Sequence, residues 1–235
     1  MHRRNFTVCL VATASLSGFA AQTAGAASPV TATVTNSDAA LGVRTALERG
    51  AGSAVNLLGR SGGFLDNPAV RIPLPGFLND AAKLARLTGQ QARVDELVTA
   101  MNRAAEEAMP QAKALLVGAV KAMSFQDGWK ILTGGDNSVT EFFVSRTRAA
   151  LSVKFLPIVT QATEKVALAA AYNALVGKAA LVGLLGKDHA SLAQYVTGKA
   201  LDGLYLMIGE EERKIRRDPV GTGSAILSKV FGSLK

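Results

Sequence analysis

The chain has 235 residues, a formal net charge of +8 and 49% hydrophobic composition, with one cysteine, two histidines and 18 acidic residues. That length fits one domain with its own core, and the scarcity of cysteine and histidine excludes a disulfide framework and a His-rich metal centre. The basic residues are dispersed with no run of five or more, so a nucleic-acid-binding role is not expected.

Residues 1–26 read as a secretory signal peptide. His2, Arg3 and Arg4 precede an apolar run from Phe6 to Phe19, and Ala24, Gly25 and Ala26 form a small-residue cleavage site. The run is shorter than the roughly 18 to 20 apolar residues that span a bilayer. Cys9 lies inside it, badly placed for a lipid-modified mature N-terminus. Cleavage after Ala26 sends the chain to the periplasm, removes the only cysteine and, with Arg3 and Arg4 gone, lowers the charge from +8 to +6. Residues 27–36, small and polar without helical period, predict a disordered leader.

From Ser37 the pattern becomes helical. Ala40, Val43, Leu47, Ala51, Ala54 and Leu58 recur on one face, with Arg44, Glu48 and Asn56 opposite and Gly59 as the stop. Residues 60–75 cannot be helix, because Pro68, Pro73 and Pro75 interrupt them. Val70, Ile72 and Leu74 alternate with Arg71 and Pro73, which predicts an extended segment with one face on the helices and Arg71 outward. A helix is expected from Pro75 through Leu78, Ala81 and Leu84, and another from Gln91 with Val94, Leu97, Met101, Ala105 and Ala108 inward. Pro110 restarts the chain into a further helix.

The stretch MSFQDGWKILTGGDNSVTEFF, residues 123–143, brings glycines, carboxylates and a lysine together. Ser124 and Asp127 have capping-box spacing, and Phe125, Trp129 and Leu132 form an apolar stripe. Gly134 is expected to end that helix in a left-handed conformation, and Ser138 with Glu141 to open the next with a second capping box. A phosphate loop needs a preceding strand and a lysine after the second glycine, and neither is present. TGGD is therefore a seam between helices, although a helix N-terminus at Ser138 offers a place for an anion.

Pro157 is expected to kink or restart the following helix. Residues 168–186 are alanine-rich and apolar, but Asn173 and Lys178 argue for a buried helix or hairpin over a membrane span. The last long helix opens with a capping box at Ser191 and Gln194 and ends in EEERKIRRDP, where Glu210 with Lys214 and Glu212 with Arg216 stand at i,i+4. A short helix, SAILSKVF, closes the chain. With no strand-rich block, the class is all-α: a single multi-helix domain over 37–235 with a Pro-rich extended segment near 60–75.

The segments GGFLDNPAVRIPLP, ILTGGDNSVTEFF, KFLPIVTQATEKV, YNALVGK and ALDGLYLMIGEEERKIRRDP occur in an order and spacing that resemble the DUF4197 family, bacterial envelope proteins of unknown function. The resemblance covers about residues 37–234. It implies a Gram-negative periplasmic helical domain and supplies no activity, cofactor or catalytic residue.

His189 is the only histidine outside the leader and lies beside Asp188 at a helix entrance, an ordinary linker position. Two readings of function follow. The first is a noncatalytic binding domain for a protein, peptide or lipid of the envelope, with Asn67 and Arg71 on the Pro-rich segment and Asp127, Lys130 and Asp136 at the seam as binding residues. The second is a hydrolase-like enzyme using Asp127, Lys130 and Asp136, which requires burial to shift their pKa values. No metal ligand, cofactor or membrane-spanning segment is assigned. Mass measurement of the exported form is expected to give a chain beginning at Ala27; retention of Cys9 would refute the cleavage assignment.

Overall fold

The structure is a computed structural model that describes residues 36–78, 82–83, 87–167, 169–170, 191–219 and 221. The leader, most of the apolar run 168–186, His189 and SAILSKVF lie outside the described residues. Among those described, six α-helices and no strand are present: α1 (Asn36–Leu58), α2 (Gln91–Ala108), α3 (Pro110–Lys121), α4 (Phe125–Thr133), α5 (Ser138–Glu164) and α6 (Leu192–Arg217). The all-α class follows directly from the 3.6-residue periodicity and the caps.

Apart from α4, the helices bury the stripes that their spacing announces. Val43, Leu47, Ala54 and Leu58 of α1 and Leu97, Met101 and Ala105 of α2 enter one core with Leu116 of α3, Phe143, Leu151 and Phe155 of α5 and Leu192, Leu201 and Leu204 of α6. Burial of a large aliphatic or aromatic side chain contributes about 1.5 to 3 kcal/mol. Helices α5 and α6 share the most extensive contact. Within it the Thr147 hydroxyl donates to Phe143 O (2.6 Å), so the Tyr205 hydroxyl 2.9 Å away is the donor of their mutual bond. Burial pushes the Tyr205 phenol above its ordinary pKa, which keeps it protonated as that donor.

Pro157 does not restart the chain as a separate helix: α5 runs from Ser138 to Glu164 with Pro157 inside it. Pro157 lies on the exposed side together with Val153, so the carbonyl freed by the missing N–H faces water. The helix expected after Pro75 opens with a 3-10 turn, Gly76–Leu78, closed by Leu78 N–H to Pro75 O at 2.8 Å, and 82–83 and 87 are helical; positions 79–81 and 84–86 lie outside the described residues.

The Pro-rich segment is a strap, and its alternation is as expected: Val70 and Ile72 are buried, and Arg71 and Pro73 are exposed. Residues 60–70 are not extended as expected but fold as turns closed by backbone bonds such as Asp66 N–H to Gly62 O (3.1 Å) and Arg71 N–H to Asn67 O (2.9 Å), with irregular chain only over 71–75; side chains take up the backbone groups that remain. Asn102 of α2 does so for Ile72, its Oδ1 accepting the Ile72 N–H (2.8 Å) and its Nδ2 donating to the Ile72 carbonyl (3.0 Å). One turn further, Glu106 Oε1 accepts the N–H groups of Phe64 (3.0 Å) and Leu65 (3.1 Å). Arg103 neutralises Glu106 at 2.6 Å and also donates to Ser61 Oγ at 2.7 Å. Burial opposes ionisation of Glu106, yet the Leu65 N–H, Arg103 and the Phe64 N–H outweigh it and hold the carboxyl below the ordinary glutamate range. Phe64, fully buried, lies over Gly203 of α6, where a Cβ would stand 2.8 Å from the Phe64 ring. Tyr195 closes the far end by donating to Pro73 O at 3.1 Å.

The strap therefore depends on two polar side chains one helical turn apart. Asn102→Ala leaves both Ile72 backbone groups buried and unpaired, and is expected to cost about 2 to 4 kcal/mol in urea unfolding; Arg71→Glu, on the outer face, is expected to leave the midpoint unchanged. The Glu106 pKa is lower folded than unfolded, so its contribution is complete above the unfolded value of about 4.5 and lost as pH falls through the folded one. Glu106→Gln is expected to flatten the loss of stability below pH 4.5.

Candidate functional site at the helix seam

The short helix α4 begins with the expected capping box. The Ser124 hydroxyl accepts the Asp127 N–H at 3.1 Å, and the Asp127 carboxylate accepts the Ser124 N–H at 3.1 Å and the Ser124 hydroxyl at 2.8 Å. Arg146, on α5, reaches both Asp127 oxygens at 3.4 Å. The Ser124 hydroxyl and N–H, with Arg146 beside them, hold the Asp127 carboxyl below the ordinary aspartate range.

The far end of the seam differs from expectation. The cap of α5 is not a Ser138 and Glu141 box: Asn137 is the N-cap, without a side-chain bond, and Ser138 is the first helical residue. The first turn is instead closed by Glu212 of α6, whose carboxylate accepts the N–H groups of Val139 (3.1 Å) and Thr140 (3.2 Å). Arg216, one turn along α6, binds Glu212 at 3.0 Å and donates to Ile131 O (2.8 Å) in the last turn of α4 and to Ser138 Oγ (2.7 Å). A carboxylate thus sits at a helix start and a guanidinium at a helix end, each opposite the partial charge it stabilises. The anion position offered by the α5 N-terminus is filled by the protein's own carboxylate.

Gly134 is also not left-handed; its φ is −79° and ψ 173°. Glycine is needed there for closeness, because a Cβ would lie 2.6 Å from Lys130 O and 2.7 Å from Ser138 Cβ. Phe125 and Trp129 do not turn inward with Leu132. They are 52% and 51% exposed, and α4 packs through Gly128, Ile131 and Leu132.

Around this seam lies an open groove of about 720 Å³ between α4 and α5. Ile131 and Phe142 supply its apolar lining, with Asp127, Lys130, Asp136, Asn137, Glu141, Ser145 and Arg146 also lining it. The fold thus brings Asp127, Lys130 and Asp136 to one concavity. Asn67 and Arg71 are not among its lining residues: Asn67 Oδ1 accepts the Ala69 N–H at 3.1 Å in a local turn of the strap, and Arg71 is exposed. Glu212, Arg216 and Arg146 were not legible as site residues. The first two read as an i,i+4 surface pair, whereas the Glu212 side chain is 1% exposed and that of Arg216 15%; their i,i+4 pairing is correct. The other expected pair, Glu210 with Lys214, is replaced by i,i+3 pairs, Glu210 with Arg213 and Glu211 with Lys214.

Among the described residues no group of three His, Cys, Asp or Glu is arranged to hold a metal ion, and no helix is long and apolar enough to cross a membrane. The structure defines an all-α domain whose groove-forming helices are clamped by an ion pair from a third. The chain belongs to the DUF4197 family, described as a protein of unknown function, whose model matches residues 33–232. No curated protein and no solved structure matches it.

Removing Glu212 uncaps α5 and strands Arg216, so Glu212→Ala is expected to cost about 3 to 5 kcal/mol in chemical unfolding. Ser138→Ala is expected to cost about 0.5 to 1.5 kcal/mol, the worth of one hydrogen bond. A larger loss from Ser138→Ala than from Glu212→Ala would return the cap to Ser138.

Proposed function

We propose that this protein is a noncatalytic binding domain of a Gram-negative periplasm, and that the groove between α4 and α5 receives an extended segment of an envelope protein. A concavity collecting Asp127, Lys130 and Asp136 is what the hydrolase needs as well; the observation that carries the binding reading is that Asp127 is committed to the α4 cap, with its carboxyl below the ordinary range, in an open groove lined by amide, hydroxyl and charged groups around a small apolar floor. A volume of about 720 Å³ falls in the roughly 300–1,000 Å³ span of ligand clefts. Hydrogen-bonding groups and charges of both signs suit a polypeptide, with its backbone amides and mixed side chains, better than an acyl chain. Export is supported by the signal-peptide pattern of residues 1–26 and by a family match that begins only at residue 33.

The hydrolytic alternative draws less support. A general acid working near neutrality needs a raised carboxyl pKa. The Asp127 carboxyl is shifted the other way and committed to the helix cap. Photo-crosslinking from position 145, at the groove wall, is expected to give one discrete adduct, and the purified adduct partner to bind saturably. Lys130→Glu with Asp136→Lys is expected to weaken that binding about tenfold or more without shifting the unfolding midpoint. An adduct formed equally from exposed Val153, or binding indifferent to the charge swap, contradicts the proposal.

A further inference from the structure

The groove between α4 and α5 adjoins a second hollow, of about 310 Å³, between α5 and α3: Phe142 and Arg146 line both. From α3 and its C-cap the hollow takes Ala114, Leu115, Gly118, Ala119 and Ala122. Its remaining lining residue, Thr147, has a hydroxyl already used, donating to Phe143 O and accepting from Tyr205. Arg146 reaches back to the Asp127 carboxylate at 3.4 Å. The side chains around the hollow therefore offer it an apolar surface, whereas the groove is lined by charges, amides and hydroxyls. Gly118 is exposed at its edge, and a Cβ there would meet nothing within 4 Å, so no side chain of the fold fills the space.

We infer that the two concavities form one binding track, and that the segment received by the groove carries an apolar side chain of leucine or phenylalanine size, which anchors in the hollow between α3 and α5. The inference rests on the reading of the groove as a polypeptide site. Continuity selects this occupant. A chain lying along α5 in the groove passes Phe142 and Arg146, and successive side chains of an extended segment point to opposite sides, so one is presented to the hollow while its neighbours stay with the polar lining. Pockets that take alternate side chains supply specificity in this mode of recognition, and one apolar anchor in a pocket concentrates the binding energy of an otherwise near-neutral contact surface. A second copy of this chain is a poorer occupant, because its irregular stretch 71–75 is already docked, with Ile72 buried and held by Asn102. A bare acyl chain leaves the groove charges without partners.

The probes are two acetylated and amidated heptapeptides, Ser-Lys-Gly-X-Gly-Glu-Ser with X leucine or serine, titrated into the ¹⁵N-labelled mature protein. The leucine peptide is expected to shift the amide of Ser145 in the groove and those of Gly118 and Ala119 at the hollow, and to bind about tenfold more tightly than the serine peptide, which shifts the groove alone. Gly118→Leu, placed in open space, is expected to erase the preference for leucine with no fall in the unfolding midpoint, and Gly118→Ala to retain it. Groove shifts with equal affinity for the two peptides, or a leucine preference untouched in folded Gly118→Leu, overturn the anchor and leave the groove reading standing. No shift at Ser145 with either peptide contradicts the groove reading and the anchor together. Sodium octanoate shifting the hollow amides as strongly as the leucine peptide also overturns the inference, since the hollow then takes acyl chains without a peptide.

Discussion

One ion pair on α6 closes two other helices at once. Glu212 accepts from the first-turn amides of α5 and Arg216 donates to a last-turn carbonyl of α4, while the two bind each other across one turn of their own helix. A buried ion pair by itself is weak evidence of stability, because desolvation offsets the Coulomb attraction. Here the additional partners change the balance. Val139 N–H, Thr140 N–H and Ile131 C=O are groups that a helix end leaves without intrahelical partners, and burying them unpaired costs about 1 to 3 kcal/mol each. The pair thus satisfies orphan backbone groups on two helices, and the angle at which α4 leaves α5 is set from α6.

The same device recurs at the strap. Asn102 and Glu106 stand i,i+4 on α2 and accept from Ile72, Phe64 and Leu65, so a segment that proline removes from regular hydrogen bonding is closed by side chains. In both places a helix supplies two polar groups one turn apart to backbone far away in sequence. The groove follows from this geometry: Gly134 lets the seam pass close to Ser138 and Lys130 O, and Glu212 fills the anion position at the α5 N-terminus. The charges that line the opening belong instead to Asp127, Lys130, Asp136, Glu141 and Arg146, which favours a ligand of mixed polarity over a single phosphate.

What the sequence could reveal divides by the range of the interaction. Caps at Ser124 and Ser191 are made within three residues, and both were legible. The strap was legible because proline and period-two alternation act locally, whereas Asn102 and Glu106 looked like ordinary helix positions. Ser138 and Glu141 carry capping-box spacing just as Ser124 and Asp127 do, yet the α5 cap arrives from a residue 73 positions away. No local pattern separates the two cases. The aromatic stripe of α4 failed for a related reason: periodicity locates a hydrophobic face but not how much of it the neighbours cover, and here Gly128, Ile131 and Leu132 take the burial. Asp127, Lys130 and Asp136 were legible as neighbours because all three lie within ten residues of chain, but the concavity they line was not; Arg146 joins them only through the α5 fold-back.

A nine-residue helix is shorter than the roughly 12 to 15 residues at which an isolated helix becomes marginal in water. The persistence of α4 therefore rests on its capping box, on Arg216 at its far end and on the burial of Ile131 and Leu132. Phe125 and Trp129 add little to any of these. Exposed apolar side chains are ordinary on a protein surface, and Phe125 and Trp129 are two of them, one turn apart and about half exposed. α4 is thus held at both ends, and the groove wall that it presents through Asp127, Lys130 and Ile131 stands on a rigid support.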